Sequence, residues 1–377
     1  MVLGRSRERQ LSCFFIGSFP PPLHGAAILN GLFAVALKEM GLQVVELKTN
    51  HSQLRRSKLS LAVRTMRYFI AICKLTTSSF GKNMIVLVGL GAGLSVIGDA
   101  VVLAVARGLR ARCCVFHHSS KYVCNESTLF RILLWILGKE ALHIACSEQM
   151  LLELRGKYSV VDHLRPISNA AWIKQPRIVY KKPDDNAALR IGFLSNLSEE
   201  KGLFRALETL QLLHERNLNV EMWVAGAFLD QKTKSQFQIH SLVREGYVKY
   251  WGVVDEKMKS RFFEGIDVFL FPSTYVHETQ SLVVPEALSF GCTVVALRHR
   301  YVAEILEGAS GSLIVDKEDE FGAKSADFCS ALALSRERLH AASMESQKIV
   351  QAARRLARHR LELLCDELKE SGKDEKN

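Results

Sequence analysis

The sequence predicts an α/β chain built from two doubly wound parallel sheets, and three observations predict it. Short apolar runs alternate with helical patterns along the whole chain, as in successive βαβ units. That alternation stops at a proline-rich, charged stretch over 165–189 and then restarts. At 377 residues the chain is also longer than one average domain. Paired sheets of this kind bind ligands at the carboxyl ends of their strands, so a cleft between two units is the expected active site.

The elements follow in order. A strand is expected at 11–16, then a helix over 26–40 that Gly41 ends. A strand at 44–47 precedes a basic helix over 55–75. A strand at 85–88, a helix at 94–109 and a strand at 113–116 come next. The glycines at 89, 91, 93 and 98, with Asp99, argue against 84–109 as a membrane-spanning helix. The run 129–137 reads as a buried helix and 142–146 as a strand. Pro166, Pro176 and Pro183, with Lys181, Lys182, Asp184 and Asp185, mark the domain boundary. Beyond it, strands are expected at 191–194, 220–225, 248–251, 268–271, 293–296 and 313–315, and a long helix over 335–369 closes the chain. The domains read as 1–175 and 176–350. A helix and tail at 351–377 are expected to pack back on the first.

Charge is unevenly shared. The formal net charge is +11, but residues 1–175 alone carry 22 basic and 9 acidic side chains. In the 55–75 helix, Leu59, Ala62, Met66, Phe69 and Cys73 share one face, and Arg56, Arg64, Arg67 and Lys74 an adjacent one. Such a helix can lie on anionic lipid or pack its apolar side into a core. With the basic half, it points to a peripheral membrane contact through 55–75. Interleaved aromatics and nucleic-acid motifs are missing, so no nucleic-acid partner is expected. A non-catalytic protein using the basic half to bind nucleic acid or membrane is the alternative.

The nine cysteines are scattered without a CxxC, which fits a reducing compartment. Cys113, Cys114, His117, His118 and Cys124 lie close together, but their alternation along a strand does not suit zinc, and no metal is expected. The apolar run at 11–16 is too short for a signal peptide, so the expected location is cytoplasmic, with peripheral contact at the membrane's inner face.

Two nucleotide motifs fail. The Gly89–Gly93 cluster lacks the third glycine of GxGxxG, and no P-loop is present. The strongest constellation is Phe271, Pro272 and Ser273, then Glu278, then Glu286, Ala287, Leu288 and Gly291. Glu278 falls on the loop after the 268–271 strand. Pro285 suits the first turn of a helix that carries Glu286.

This block resembles the retaining nucleotide-sugar glycosyltransferases of family 4, which have the two-domain GT-B fold. The likeness includes Phe193–Leu197, Glu200-Lys201-Gly202, Val224-Ala225-Gly226, Gly252-Val253-Val254, Ile266-Asp267-Val268, Glu304 and Gly308–Gly311. It is looser in the first half, through Pro21–Gly25, His117-His118 and Ser168-Asn169-Ala170. The resemblance implies a transferase that moves a hexosyl group from a nucleotide-diphosphate sugar to a glycan or lipid-linked acceptor, as in surface polysaccharide or glycolipid assembly. A GT-B-like sugar-nucleotide epimerase is the rival enzyme.

It also implies roles. Lys201 would meet the donor diphosphate and Glu286 the ribose hydroxyls. Glu278 would meet the transferred sugar, and His118, or else His117, would stand near the reacting carbon. Gly25, Asn196, Gly252, Val253, Thr279, Gln280, Ser281 and Leu282 would complete the donor site. The family usually has Arg where Asn196 stands, and glycines where Thr279 and Ser281 stand. Neither cofactor nor metal is implied; the nucleotide sugar is a substrate. No carboxylate nucleophile is evident in the first half. Front-face attack, with the departing phosphate taking the acceptor's proton, is therefore the expected course.

Overall fold

The computed structural model describes residues 11–21, 24–50, 58–78, 84–91, 93, 95–159, 161–174 and 188–370. Arg55, Arg56, Pro176, Pro183 and the paired charges between 181 and 185 lie outside the described residues, as does the side chain of Leu59. The chain divides into two compact units, Met1–Trp172 with Leu356–Asn377, and Ile173–Arg355.

In the first unit, β1 (Ser12–Gly17), α1 (Gly25–Glu39), β2 (Gln43–Lys48), α2 (Lys58–Thr77), β3 (Met84–Leu90) and α3 (Ser95–Gly108) come first. They are followed by β4 (Arg112–His117), α4 (Lys121–Cys124), α5 (Thr128–Leu137), β5 (Leu142–Ala145), α6 (Glu148–Lys157) and β6 (His163–Pro166). All six strands pair in parallel, in the order β2-β1-β3-β4-β5-β6. The order reverses between β1 and β3, so their carboxyl ends frame a crevice. Phe15, Phe33 and Phe116 pack edge to face beneath it. The side-chain oxygens of Ser127 and Ser147 cap α5 and α6. The sequence reading has no strand at β6, because His-Leu-Arg-Pro is an edge segment with little apolar signal.

Two helices leave large apolar side chains in solvent. The apolar face assigned to 55–75 looks outward: Met66 is 57% and Phe69 64% exposed, and Ala62 and Cys73 are exposed with them. The sheet side of α2 instead carries Ala71, Leu75 and the half-buried Tyr68 and Arg64. The 129–137 segment is buried on one side only, through Phe130, Leu133, Leu134 and Leu137; Trp135 on the other side is 80% exposed.

The second unit runs β7 (Leu189–Leu194), α7 (Leu203–Glu215), β8 (Val220–Ala225), α8 (Gln231–Ile239), α9 (Ser241–Arg244), β9 (Val248–Tyr250) and α10 (Glu256–Gly265). Then come β10 (Val268–Phe271), α11 (Val283–Ser289), β11 (Thr293–Leu297), β12 (Leu313–Val315), α12 (Phe321–Ala333) and α13 (Arg336–Glu370). Its parallel sheet has the order β12-β11-β10-β7-β8-β9. The chain first adds β8 and β9 on one side of β7, then β10, β11 and β12 on the other, so this sheet reverses between β7 and β10. Leu203, Leu207 and Leu210 of α7 belong to one core cluster with Phe321 and Cys329 of α12.

The last turns of α13 belong to the first unit, where the Glu367 carboxylate accepts hydrogen bonds from Arg112 and Arg165, both at 2.7 Å. Among the described residues no helix is long and apolar enough to cross a membrane.

Candidate active site

The reversal point of the second sheet gathers the charged residues singled out in the sequence. After β7 the chain passes Ser195, the exposed Asn196 and Lys201 before entering α7 through Gly202. After β10 it passes Pro272, Ser273 and Glu278 before entering α11. These two loops touch. Gly202 has φ +85°, and a Cβ there would stand 2.3 Å from the carbonyl oxygen of Pro272. Only glycine allows both that backbone and that approach.

The contact brings Lys201 to Glu278. Its Nζ donates to Oε2 at 2.5 Å, and Ser273 Oγ donates to the same oxygen at 3.2 Å. The ammonium also lies 4.4 Å from the centre of the Tyr275 ring, a cation–π arrangement. Both charges are largely buried, so the pair is a preformed cation–anion site rather than a loose surface bridge.

Glu286 is held apart from this pair, on α11. Lys259 of α10 donates to its Oε1 at 2.6 Å, while its buried Oε2 has no hydrogen-bond partner. Burial raises the carboxyl's pKa, and the Lys259 charge works against that rise. At Lys259, burial opposes the charge, but Glu286 and Glu256 outweigh it and leave the pKa raised. An unpartnered buried carboxylate oxygen is an acceptor awaiting a donor such as a hydroxyl. Thr279 and Gln280 are buried in the loop ahead of α11, with Ser281 and Leu282 half-buried beside its first turn.

A third segment lies at the ends of β8 and β9. Gly226 has φ +130° and lies so close to the Ser195 carbonyl that a Cβ would overlap it; its N–H donates to Gly252 O at 2.7 Å. Tyr250 Oη donates to Gly226 O at 2.8 Å, and the neighbouring Val253 is strongly exposed. Asn196, Gly252 and Val253 thus sit on loops tied to one another by backbone hydrogen bonds.

In the first unit the two histidines separate. His118 leaves the end of β4 and its Nε2 bonds Asn30 Oδ1 at 2.6 Å, while Asn30 Nδ2 donates to Ser18 O at 2.9 Å. That fixes Asn30 Oδ1 as the acceptor and Nε2–H of His118 as the donor, leaving a buried, unpartnered Nδ1 lone pair. Burial, with the nearby His24, lowers the His118 pKa to about 3, so the ring is neutral at ordinary pH.

His117 faces the other way, as alternation along a strand requires. Its ring is buried between Tyr122 Oη, 2.9 Å from Nδ1, and His143 Nδ1, 3.1 Å from Nε2. Both ring nitrogens of His117 are thus engaged, whereas His118 keeps one without a partner. Gly25 opens α1, and a Cβ there would meet only open space.

Asn30 in the first unit, and Tyr275 and Lys259 in the second, escape sequence reading. Asn30 fills the space over Gly17 and Gly89, where a Cβ on either glycine would come within 2.8 Å of its amide. Two glycines near the ends of adjacent strands were its only trace. Lys259 pairs with Glu256 within its own helix, and nothing local marks its second partner, 27 residues away.

Residues 188–331 match the family described as glycosyl transferases group 1. No curated protein sequence matches the chain. Among solved structures, sucrose-phosphate synthase from Thermosynechococcus elongatus is 16% identical, with a TM-score of 0.68 over 96% of this chain and 100% of that one. HepE from Anabaena, solved in complex with UDP, is 14% identical, with a TM-score of 0.65 over 92% of this chain and 97% of its own. The pneumococcal O-GlcNAc transferase GtfA, in complex with UDP and GlcNAc, is 17% identical with a TM-score of 0.63; the match covers 80% of this chain but 59% of GtfA. The fold is GT-B, with two parallel six-stranded sheets.

Proposed function

We propose that the protein is a glycosyltransferase that takes a hexosyl group from a nucleoside-diphosphate sugar bound at the carboxyl end of the second sheet. One observation carries the reading: Lys201 and Glu278 arrive from the loops after β7 and β10 and meet where the strand order reverses. The family match over 188–331 and the UDP complexes of similar folds support the same ligand class.

In this reading the Lys201 ammonium turns from Glu278 to the donor diphosphate, favoured there by the start of α7. Glu278 then accepts from hydroxyls of the sugar. Glu286, through its unpartnered Oε2, accepts from the ribose. In the first unit, the neutral His118 imidazole keeps a buried acceptor nitrogen, Nδ1, for a ligand hydroxyl.

The bond from the anomeric carbon to the phosphate oxygen breaks as an acceptor hydroxyl oxygen bonds to that carbon. Lys201 and backbone N–H groups stabilise the charge growing on the leaving diphosphate. The acceptor's proton passes to that phosphate, and the acceptor enters from the same face, which retains configuration. The acceptor is a glycan or a lipid-linked molecule.

The test is a panel of nucleotide sugars read by nucleotide release. Wild type is expected to release nucleotide from one donor class, and Lys201→Ala and Glu286→Gln to abolish most of it. Release that survives both substitutions would remove the assignment.

A further inference from the structure

The first unit carries a face that the transfer reaction does not use. Helix α2 packs beside α3, and α3 beside α5. Tyr68 Oη donates to the buried Asp99 of α3 at 2.7 Å, and a Cβ at Gly98 would come within 2.6 Å of the Tyr68 ring. The Tyr68 side of α2 is therefore pinned against α3, which turns the opposite side outward. Arg107 of α3 ties α5 in turn, donating to Ile136 O at 2.6 Å.

The outward side of this three-helix layer is apolar. Met66 and Phe69 on α2, Ile97 and Val101 on α3, and Ile132 and Trp135 on α5 are all exposed. Three neighbouring helices each presenting large apolar side chains to solvent is not the scatter of a usual monomer surface.

The solvent-facing charges within these three helices are of one sign. Asp99, the only acidic residue within the three helices, is buried and bonded to Tyr68. Arg67, Lys74, Arg107 and Arg131 accompany the apolar side chains, and Arg131 pairs with Glu126 just ahead of α5. A protein partner would need no such bias. An anionic bilayer would, because apolar side chains enter the acyl boundary while cations meet the headgroups. Tryptophan, with an apolar body and one N–H, suits the level between them.

We propose that the outward face of α2, α3 and α5 docks the protein on an anionic lipid bilayer. The contact is peripheral, made by side chains lying in the interface rather than by a spanning segment. It does not depend on the donor assignment.

The experiment is flotation of the full chain with vesicles of phosphatidylglycerol and phosphatidylcholine, alongside phosphatidylcholine alone. The protein is expected to float with the anionic vesicles, less so at high salt, and Trp135 fluorescence to shift to the blue. The double variant Phe69→Glu/Trp135→Glu should lose about tenfold or more of this partition. Both positions are exposed, so its unfolding midpoint should match wild type.

Binding that the double variant leaves unchanged would overturn the proposal, as would failure of wild type to float with anionic vesicles. So would self-association of wild type in lipid-free solution that the same variant abolishes, since the face would then join copies of the chain.

Discussion

Lys201 and Glu278 are 77 residues apart and meet at 2.5 Å, so each holds the other in the absence of a donor. Replacing Glu278 by Gln removes the competing anion. Affinity for a free nucleoside diphosphate should then rise, while turnover of the nucleotide sugar falls by about tenfold or more, since a charged hydrogen bond to the sugar is lost. Calorimetry and nucleotide release together read that split. Lys259→Met tests the second carboxylate. Burial already raises the Glu286 pKa, and Lys259 is what opposes the rise. Without it the carboxyl ionises only at higher pH, so the acid limb of nucleotide binding should move upward in a titration of Kd against pH. An unmoved limb would mean that Glu286 does not bind as the anion.

At the scale of elements, two contacts set positions that the site and the docking face depend on. Gly202→Ala forces a Cβ toward the Pro272 carbonyl at a φ that disfavours side chains. It should cost about 2 kcal/mol or more of stability and displace Lys201. Chemical unfolding measures the first effect and donor turnover the second. The Asp99–Tyr68 link between α3 and α2 carries a pH dependence. Burial raises the Asp99 pKa to about 7, against which Tyr68 and Arg64 work. The neutral acid is therefore favoured in the fold, whereas the unfolded chain ionises near 4. As pH rises from about 4 to about 7, holding this group in the fold costs progressively more stability. Asp99→Asn removes that cost, so its stability relative to wild type should improve across this window, by denaturant midpoints taken at several pH values. A constant difference would mean that Asp99 is ionised throughout.

Across the whole molecule, what could be read from sequence was what local pattern encodes. The strands β8, β10 and β12 fall where their largely apolar runs place them, and β10, Val-Phe-Leu-Phe inside its sheet, is the short uninterrupted apolar segment that a central parallel strand requires. Edge strand β6 has no such run and was missed. The Glu278 and Glu286 block was visible through its spacing, but Lys259 and Asn30 were not, since their partners come from distant elements. Periodicity found the amphipathic character of α2 and could not say which side faces the core. That was settled by Tyr68 and Asp99, residues of no apolar prominence. The uneven charge stands in the same relation. The proposed donor phosphates ask for Lys201 in the near-neutral half, while Arg67, Lys74, Arg107 and Arg131 of the first half lie on the helices that present the apolar face.

The central claim is that the reversal point of the second sheet holds a nucleoside diphosphate, and hydrogen–deuterium exchange tests it most directly. The full chain, with the nucleoside diphosphate that its active donor releases, should show slowed exchange in 195–202 and 272–286. These are the backbone segments that carry Lys201, Glu278 and Glu286. Protection absent from both segments at saturating nucleotide would contradict it.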